Sequence, residues 1–131
     1  MTTELLAAAL LDMELHNLTD TENLNVVAFE KETMDKLGLI PEIAPRYRAT
    51  YFSHIIGGYA AGYYSYLWAE VLDTDAFEAF KEHGVFDKNT ADSFRKNILE
   101  KGGTEDPMTL YRGFRGADPS LEPLLKNRGL K

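Results

Sequence analysis

Apolar residues recur at helical spacing along most of the 131-residue chain, and glycines and prolines divide that pattern into segments. A period of about 3.6 residues places such positions on one side of a helix, where they can pack against a core. Gly38, Gly84 and Gly102 closely follow three of the segments, and glycine is a favoured residue just beyond a helix end. The sequence therefore predicts an all-α fold. Its predicted helices cover residues 5–18, 25–37, 58–82, 88–101 and shorter stretches after Pro107 and Ser120, with the 58–82 helix as the longest.

The region between the second and third predicted helices is expected to be non-helical. Pro41 and Pro45 lie in a connector that runs to Tyr51. The stretch 51–56 (YFSHII) is aromatic and β-branched, which favours an extended conformation before a diglycine break. Because no repeat or change of composition divides the chain, residues 1–131 are predicted to form a single helical segment.

Composition excludes several classes of function. The chain has 14 Lys and Arg against 21 Asp and Glu, and this net charge of −7 disfavours nucleic acid and anionic membranes as partners. It has no cysteine, which excludes disulfides, thiolate metal sites and cysteine catalysis. The apolar run 5–11 is too short to cross a bilayer and has no basic flank of a signal peptide. We therefore expect a cytoplasmic protein, with the periplasm left open.

The strongest candidate for a functional site is the stretch 54–68. On a helix that starts after the diglycine, at about 100° per residue, its three tyrosines would fall within roughly 60° of one another. A row of hydroxyls beside an imidazole, next to a flexible hinge, suits a polar substrate or a developing oxyanion. The alternative is that these aromatic residues belong to the core. The residues concerned are His54, Gly57, Gly58, Tyr59, Tyr63 and Tyr66.

The opposite face of the same predicted helix is apolar enough to be the core face. It carries Tyr64, Leu67, Trp68 and Val71. If that face is buried, the tyrosine face is free to meet a ligand.

No metal site is predicted from the residue pattern. Asp12 and His16 are four residues apart, and a helix-end pairing of carboxylate with imidazole is the favoured interpretation. His83 is expected to interact with the end of its helix, because an imidazolium is stabilised there. The stretch 73–75 (DTD) lacks the further ligands of a calcium loop. The arginines within 112–115 either bind a carboxylate ligand or pair with acidic residues of this chain, and the second is favoured.

Residues 54–70 (HIIGGYAAGYYSYLWAE) closely resemble the C-terminal signature of the zinc oligopeptidases that include thimet oligopeptidase, and within them the bacterial peptidyl-dipeptidase (dipeptidyl carboxypeptidase) branch. The resemblance continues through 10–16, 94–99, 110–112 and 124–130. It therefore covers nearly the whole chain, and the histidine–diglycine–tyrosine motif is highly specific.

The resemblance implies the C-terminal helical portion of a zincin-type peptidase built around a deep channel, which cleaves short peptides and releases C-terminal dipeptides. Members bind zinc through HExxH and a more distant glutamate, and nothing in this chain matches those ligands. We therefore expect a segment of a longer enzyme, with zinc as the cofactor of the intact enzyme and none bound by this segment. Its partners would be short peptides and the missing catalytic part. Alone it is expected to be inactive.

The resemblance also implies roles for individual residues. His54 is similar to the histidine that contacts the substrate backbone near the scissile bond. Tyr66 is similar to the donor that stabilises the tetrahedral oxyanion opposite zinc. Tyr63 is similar to a substrate contact, in the dipeptide-releasing branch one to the terminal carboxylate. Tyr59 is similar to a substrate-binding tyrosine that moves with the diglycine loop.

Two other interpretations stay open. The chain is alternatively a stand-alone, non-catalytic helical module that binds peptides. It is also expected to self-associate if the surface that packs against the rest of a longer protein is exposed.

Overall fold

The computed structural model describes residues 2–131, and over these residues the chain is helical with no β-strand, so the predicted fold class is confirmed. The helices are α1 (Thr2–His16), α2 (Val26–Lys36), α3 (Ser53–Ile56), α4 (Ser65–His83), α5 (Lys88–Phe94), α6 (Pro107–Arg115) and α7 (Glu122–Asn127). A 3₁₀ turn at Ala49–Tyr51 precedes α3, and a π-helical turn at Arg95–Leu99 continues α5. Among these described helices, none is long and apolar enough to cross a bilayer.

Side-chain caps explain why three helices begin where the sequence predicts. Asn25 caps α2, Asp87 caps α5 and Asp106 caps α6. Each side-chain oxygen accepts a hydrogen bond from the backbone N–H three residues later, at 2.7–3.1 Å. These bonds satisfy N–H groups that have no partner within the first helical turn.

The chain divides into two compact units, which meet in sequence within α4. The first unit ends at Leu67 and the second begins at Trp68. That residues 1–131 act as one helical segment stays a prediction.

In the first unit, α1 buries two neighbouring strips of small and aliphatic side chains. One strip packs on α2, and this cluster contains Ala7, Leu11 and Met34. The other packs on the residues that lead into α4, and this cluster contains Ala8, Ala9, Phe52 and Tyr63. The alanines of α1 allow close approach of the large rings, so this helix is the platform on which the aromatic region rests.

The longest helix begins at Ser65, later than predicted, because the segment 57–64 forms turns. Within these turns Ala61 has a φ of 54°, which a right-handed helix cannot include. The N–H groups of Ala61 and Tyr63 bond to the buried carboxylate of Asp12 rather than to carbonyls four residues earlier. A tertiary contact therefore overrides the local pattern, and the three tyrosines do not share one helix face.

The predicted core face was wrong at two of its positions. Val71 is buried and Leu67 is half-buried, but Tyr64 and Trp68 are 53% and 46% exposed. Tyr63, assigned to the outer face, is only 3% exposed. The predicted helix began at residue 58, within the segment that forms turns. Its residues were therefore assigned to faces that the real helix, which begins at Ser65, does not have.

Two other stretches also differ from expectation. Residues 51–56 are not extended, because Ser53–Ile56 forms α3 and Phe52 turns into the core with 0% exposure. The predicted helix 88–101 changes after Phe94 into the π-helical turn, where the N–H of Glu100 bonds to the carbonyl of Arg95, five residues earlier, at 2.9 Å.

In the second unit, α4 and α6 share a buried polar contact. The hydroxyl of Tyr111 donates a hydrogen bond to Oδ2 of Asp75 at 2.5 Å, and these two residues are 5% and 4% exposed. Burial, followed by the contact with Asp75, raises the pKa of Tyr111 well above its usual value of 10.0. The aromatic part of this unit consists of the mutually contacting rings of Phe80, Phe94 and Phe114.

Raising the pH from about 8 to about 11 should destabilise the chain, in part through Tyr111. Its pKa is higher in the folded than in the unfolded state, so its contribution is complete below the unfolded value of 10.0 and is lost as the pH rises through the folded value. Tyr111→Phe should lower the free energy of unfolding by about 1–3 kcal/mol at neutral pH, because Asp75 loses a donor. The variant should then lose less stability at high pH than the wild type. Urea unfolding followed by circular dichroism measures both quantities.

Tyr64→Phe is the matched control, because Tyr64 is 53% exposed. This variant should keep the stability and the pH dependence of the wild type. An equally steep alkaline loss in Tyr111→Phe would contradict the assignment.

Candidate functional site

Four of the residues selected from the sequence form one group of rings in the first unit, here called the tyrosine cluster: His54, Tyr59, Tyr63 and Tyr66. Tyr59 and Tyr66 are stacked, with ring centroids 5.3 Å apart and planes inclined by 13°. The imidazole of His54 lies 6.1 Å from each of these rings and 5.1 Å from Tyr63. Tyr63 and Tyr66 meet at 5.1 Å. Ring packing between α3, the following turns and the start of α4 therefore brings them together.

The side chain of His54 is enclosed on its other side by aromatic rings. Its ring centroid lies 5.2 Å from Tyr47 and 5.8 Å from Phe52. Its Nδ1 is buried and has no hydrogen-bond partner among the described residues. A buried ring nitrogen is normally satisfied, and a ligand or a water molecule would reach this atom only if the enclosing rings moved apart.

The three tyrosines of the cluster differ in their access to solvent. Tyr59 and Tyr66 are 44% and 41% exposed, whereas Tyr63 is 3% exposed. Two phenols can therefore meet a ligand directly. Tyr63 is a core residue in this conformation, and its contact with a substrate stays a prediction.

Two phenols of the cluster, Tyr63 and Tyr66, keep their protons at neutral pH. Burial, followed by the neighbouring Tyr47, raises the pKa of Tyr63 above the usual phenol value. Loss of solvation, followed by the hydrogen bond with Tyr59, raises the pKa of Tyr66. Tyr66 therefore stays a hydrogen-bond donor at neutral and mildly alkaline pH.

A carboxylate on α1 holds the backbone of the cluster. Asp12 is fully buried, and its two oxygens accept hydrogen bonds from the N–H groups of Ala61 and Tyr63, each at 2.9 Å. The expected pairing with His16 is also present, since its Nδ1 lies 2.9 Å from the carboxylate and 2.8 Å from the Asp12 carbonyl. Both oxygens only accept, so this nitrogen carries the hydrogen. Sequence reasoning missed that Asp12 binds the loop 61–63. The one feature that could have indicated it is an acidic residue beside the alanines of α1.

A second carboxylate holds the other end of the same segment. Glu30 on α2 is 3% exposed, accepts a hydrogen bond from the N–H of Ala49 at 2.5 Å and pairs with the guanidinium of Arg48. Sequence reasoning missed this residue, because an acidic residue on an amphipathic helix usually faces solvent. The segment 49–63 is therefore fixed at both ends by buried carboxylates.

The diglycine lies on the surface beside the cluster. Neither Gly57 nor Gly58 has a positive φ, and a Cβ at Gly57 would meet no atom closer than 3.9 Å, while one at Gly58 would meet open space. The fold itself therefore does not require glycine at these positions. Their predicted role as a substrate-binding hinge stays a prediction.

The other candidate side chains make contacts within the second unit. Arg115 binds Glu82 through two hydrogen bonds of 2.7 and 3.0 Å, and Arg112 binds Asp118 at 2.5 Å. Nδ1 of His83 donates to a backbone carbonyl four residues earlier, at 2.9 Å. These are the structural roles that the sequence favoured.

The described residues do not fit a zinc ion. Within residues 2–131 no three His, Asp or Glu side chains stand close enough together to hold a metal. Zinc sites in proteins use at least three protein ligands. Asp73 and Asp75 lie inside the continuous helix α4, so they belong to no calcium-binding loop.

The chain matches the sequence model of peptidase family M3 over residues 1–130, and it belongs to this family. The resemblance carried by residues 54–70 is thereby confirmed. The segment that matches this family is all-α and carries an imidazole beside two exposed phenols.

Similar proteins include dipeptidyl carboxypeptidases and oligopeptidases A. The dipeptidyl carboxypeptidase of Escherichia coli is 46% identical over 134 residues, which cover 97% of this chain and 19% of that protein. The dipeptidyl carboxypeptidase of Salmonella typhimurium is 44% identical, over 98% of this chain and 19% of that protein. The oligopeptidase A of Escherichia coli is 57% identical over 81 residues, which are 61% of this chain and 12% of that protein. The chain therefore spans about a fifth or less of the length of these relatives.

Phe52 is the residue on which the packing of the cluster depends. It is 0% exposed and its ring lies 4.9 Å from both Tyr47 and Tyr63. Phe52→Ala should lower the free energy of unfolding by about 3–5 kcal/mol and weaken the near-ultraviolet circular dichroism of the tyrosines. The neighbouring Tyr51 is 59% exposed, and Tyr51→Ala should change stability by no more than about 0.5 kcal/mol. Similar losses in the two variants would contradict this packing.

Proposed function

We propose that this chain is the substrate-binding and oxyanion-stabilising segment of a zinc-dependent peptidyl-dipeptidase or oligopeptidase, which hydrolyses short peptides and releases C-terminal dipeptides. Membership of peptidase family M3 supports the peptidase part of the proposal. The names of the relatives support the choice of peptide substrates. The tyrosine cluster supports the role of this segment.

Tyr66 carries the proposal. Its phenol is protonated at neutral pH, it is exposed, and stacking on Tyr59 restricts its ring. Hydrolysis of a peptide bond passes through a tetrahedral intermediate whose oxygen is negatively charged. A donor that is already oriented stabilises that oxygen without reorganisation, which is the largest single contribution in many hydrolases.

The other members of the cluster would bind the peptide. His54 would hydrogen-bond the substrate backbone near the scissile bond. Tyr59 is 44% exposed and would contact the peptide as the Gly57–Gly58 loop adjusts. Tyr63 supports His54 and Tyr66 by ring contact, and reaching a terminal carboxylate would require its buried phenol to be uncovered.

Zinc belongs to the proposal as the cofactor of the intact enzyme. Because residues 2–131 offer no set of three ligands, the ligands would come from a part of the enzyme outside this chain. The work assigned to this chain is binding, orientation and hydrogen bonding. The catalytic part is therefore its main partner, and the expected cytoplasmic location stays a prediction.

The two alternative interpretations stay predictions. A stand-alone peptide-binding module is less well supported, because the relatives described above are all named as peptidases. Self-association has a physical basis in large exposed side chains, among them Ile56 at 77%, Trp68 at 46% and Phe86 at 98%.

The purified chain should not hydrolyse an N-terminally blocked tripeptide or tetrapeptide, even with zinc added, because it supplies no metal ligands of its own. Product analysis by chromatography and mass spectrometry, with a chelator control, measures this. Chelator-sensitive release of a C-terminal dipeptide would contradict the division of roles, and Asp12 and His16 would be the first ligands to examine.

In an intact peptidase that contains this segment, Tyr66→Phe should lower kcat by about 10²–10³, with a small effect on KM, because the lost hydrogen bond forms in the transition state. Tyr64→Phe is the matched control, since Tyr64 is exposed and not part of the cluster. An unchanged kcat in Tyr66→Phe, or an equal loss in both variants, would overturn the proposed role.

A further inference from the structure

We propose that Asp12 is the positioning residue of the tyrosine cluster, which fixes where the phenols of Tyr59 and Tyr66 stand by binding the backbone between them. The catalytic consequence of this inference rests on the proposed function, whereas its structural part does not. Asp12 does not touch the substrate in this assignment and acts through the loop.

The first step runs through the backbone. Asp12 binds the N–H groups of Ala61 and Tyr63, which lie 49 and 51 residues later in the chain. The carbonyl of Gly62, between them, accepts a hydrogen bond from the N–H of Ser65 at 3.0 Å, where α4 begins. Fixing this loop therefore fixes the first turn of α4. Tyr66 is the second residue of that turn.

The second step runs through the rings. Tyr63 is 3% exposed, so its ring has little freedom once its backbone is fixed. That ring contacts both His54 and Tyr66 with centroid distances of 5.1 Å. A displacement of Tyr63 is therefore passed to the imidazole and to the proposed oxyanion donor together.

The helical spacing of Ala8 and Asp12 places the carboxylate of Asp12 beside the loop that it binds. Ala8 packs in the cluster with Phe52 and Tyr63, and Asp12 follows one turn later on the same face of the helix. The helix that supports the rings therefore also supplies the acceptor for the loop.

The charge of Asp12 is suited to this role. Two backbone N–H donors, those of Ala61 and Tyr63, bind its two oxygens, and Nδ1 of His16 lies 2.9 Å from one of them. A carboxylate without solvent is tolerated when such donors satisfy it, and an ionised acceptor binds N–H groups more strongly than a neutral one. An asparagine has nearly the same shape but presents an NH₂ group to one of these donors. Asp12→Asn therefore removes at least one bond without changing the volume.

Ala61 provides an independent test of the same link. Its φ of 54° is strained for any residue with a Cβ, and the bond from its N–H to Asp12 holds it there. Glycine adopts this conformation freely. Ala61→Gly should therefore leave the cluster unchanged when Asp12 is present and restore part of its geometry when Asp12 is replaced by asparagine.

The experiment compares nuclear magnetic resonance spectra of the 131-residue chain and four variants: Asp12→Asn, Ala61→Gly, the double variant, and Asp75→Asn as a control. In Asp12→Asn, amide exchange at Ala61 and Tyr63 should rise by about tenfold or more, and the ring signals of Tyr66 should shift. Asp75 is also buried, at 4% exposure, but it binds Tyr111 in the second unit. Its variant should lose stability and keep the Tyr66 signals.

Two results would overturn the inference. One is an unchanged Tyr66 ring in Asp12→Asn despite faster amide exchange. The other is an equal ring shift in Asp75→Asn, because the effect would then come from general destabilisation. If Asp12→Asn does not fold, Asp12→Glu replaces it. This variant keeps the carboxylate, and its extra methylene group displaces the loop.

Kinetics of an intact peptidase that contains this segment separate the inference from the proposed function. Asp12→Asn should lower kcat by about 10²-fold, more than it raises KM, because a displacement of about 1 Å misplaces the donor. The same change in a Tyr66→Phe background should have little further effect on kcat. An undiminished loss in that background would overturn the positioning role. If Tyr66→Phe alone leaves kcat unchanged, the proposed function fails while the spectroscopic result for Asp12 stands.

Discussion

Two buried carboxylates, each binding backbone N–H groups, hold the segment on which the rest of the first unit depends. Asp12 binds it at Ala61 and Tyr63, and Glu30 binds it at Ala49. Hydrogen bonds to charged groups contribute about 1.5–3 kcal/mol each, more than neutral ones, and they are directional. They therefore set the path of a segment whose own turns include a strained residue and three glycines.

In this unit the buried core and the candidate site share Tyr63. Phe52 and Tyr63 are buried against the alanines of α1, and the same Tyr63 ring contacts His54 and Tyr66. The exposed phenols thus rest on rings that cannot move without opening the core. The donor role proposed for Tyr66 would need such rigidity, which the packing supplies although the ring is carried near turns.

Local rules predicted much of the fold and little of the site's construction. The starts of α2, α5 and α6 lie close to where the sequence predicts them, and the caps Asn25, Asp87 and Asp106 explain this because their bonds are made within one turn. The region before Ser65 was predicted as helix and is not, because its N–H groups bind a carboxylate from α1. Tyr63 and Tyr64 were consequently assigned to the wrong faces. The family was recognised from a specific motif, which needs no structure at all, whereas Asp12 and Glu30 acquire their roles only through contacts distant in sequence.

The 51-residue separation between Asp12 and Tyr63 has a consequence for how this region folds. Closing a chain loop of about 50 residues costs on the order of 3 kcal/mol in entropy, before any contact compensates for it. The aromatic rings of the cluster all lie within 47–66, yet an excised peptide of that length would lack the helix that positions them. Assembly of the cluster therefore depends on a non-local contact. During synthesis the carboxylate of Asp12 stays hydrated until residues 61–63 have been made and can bind it.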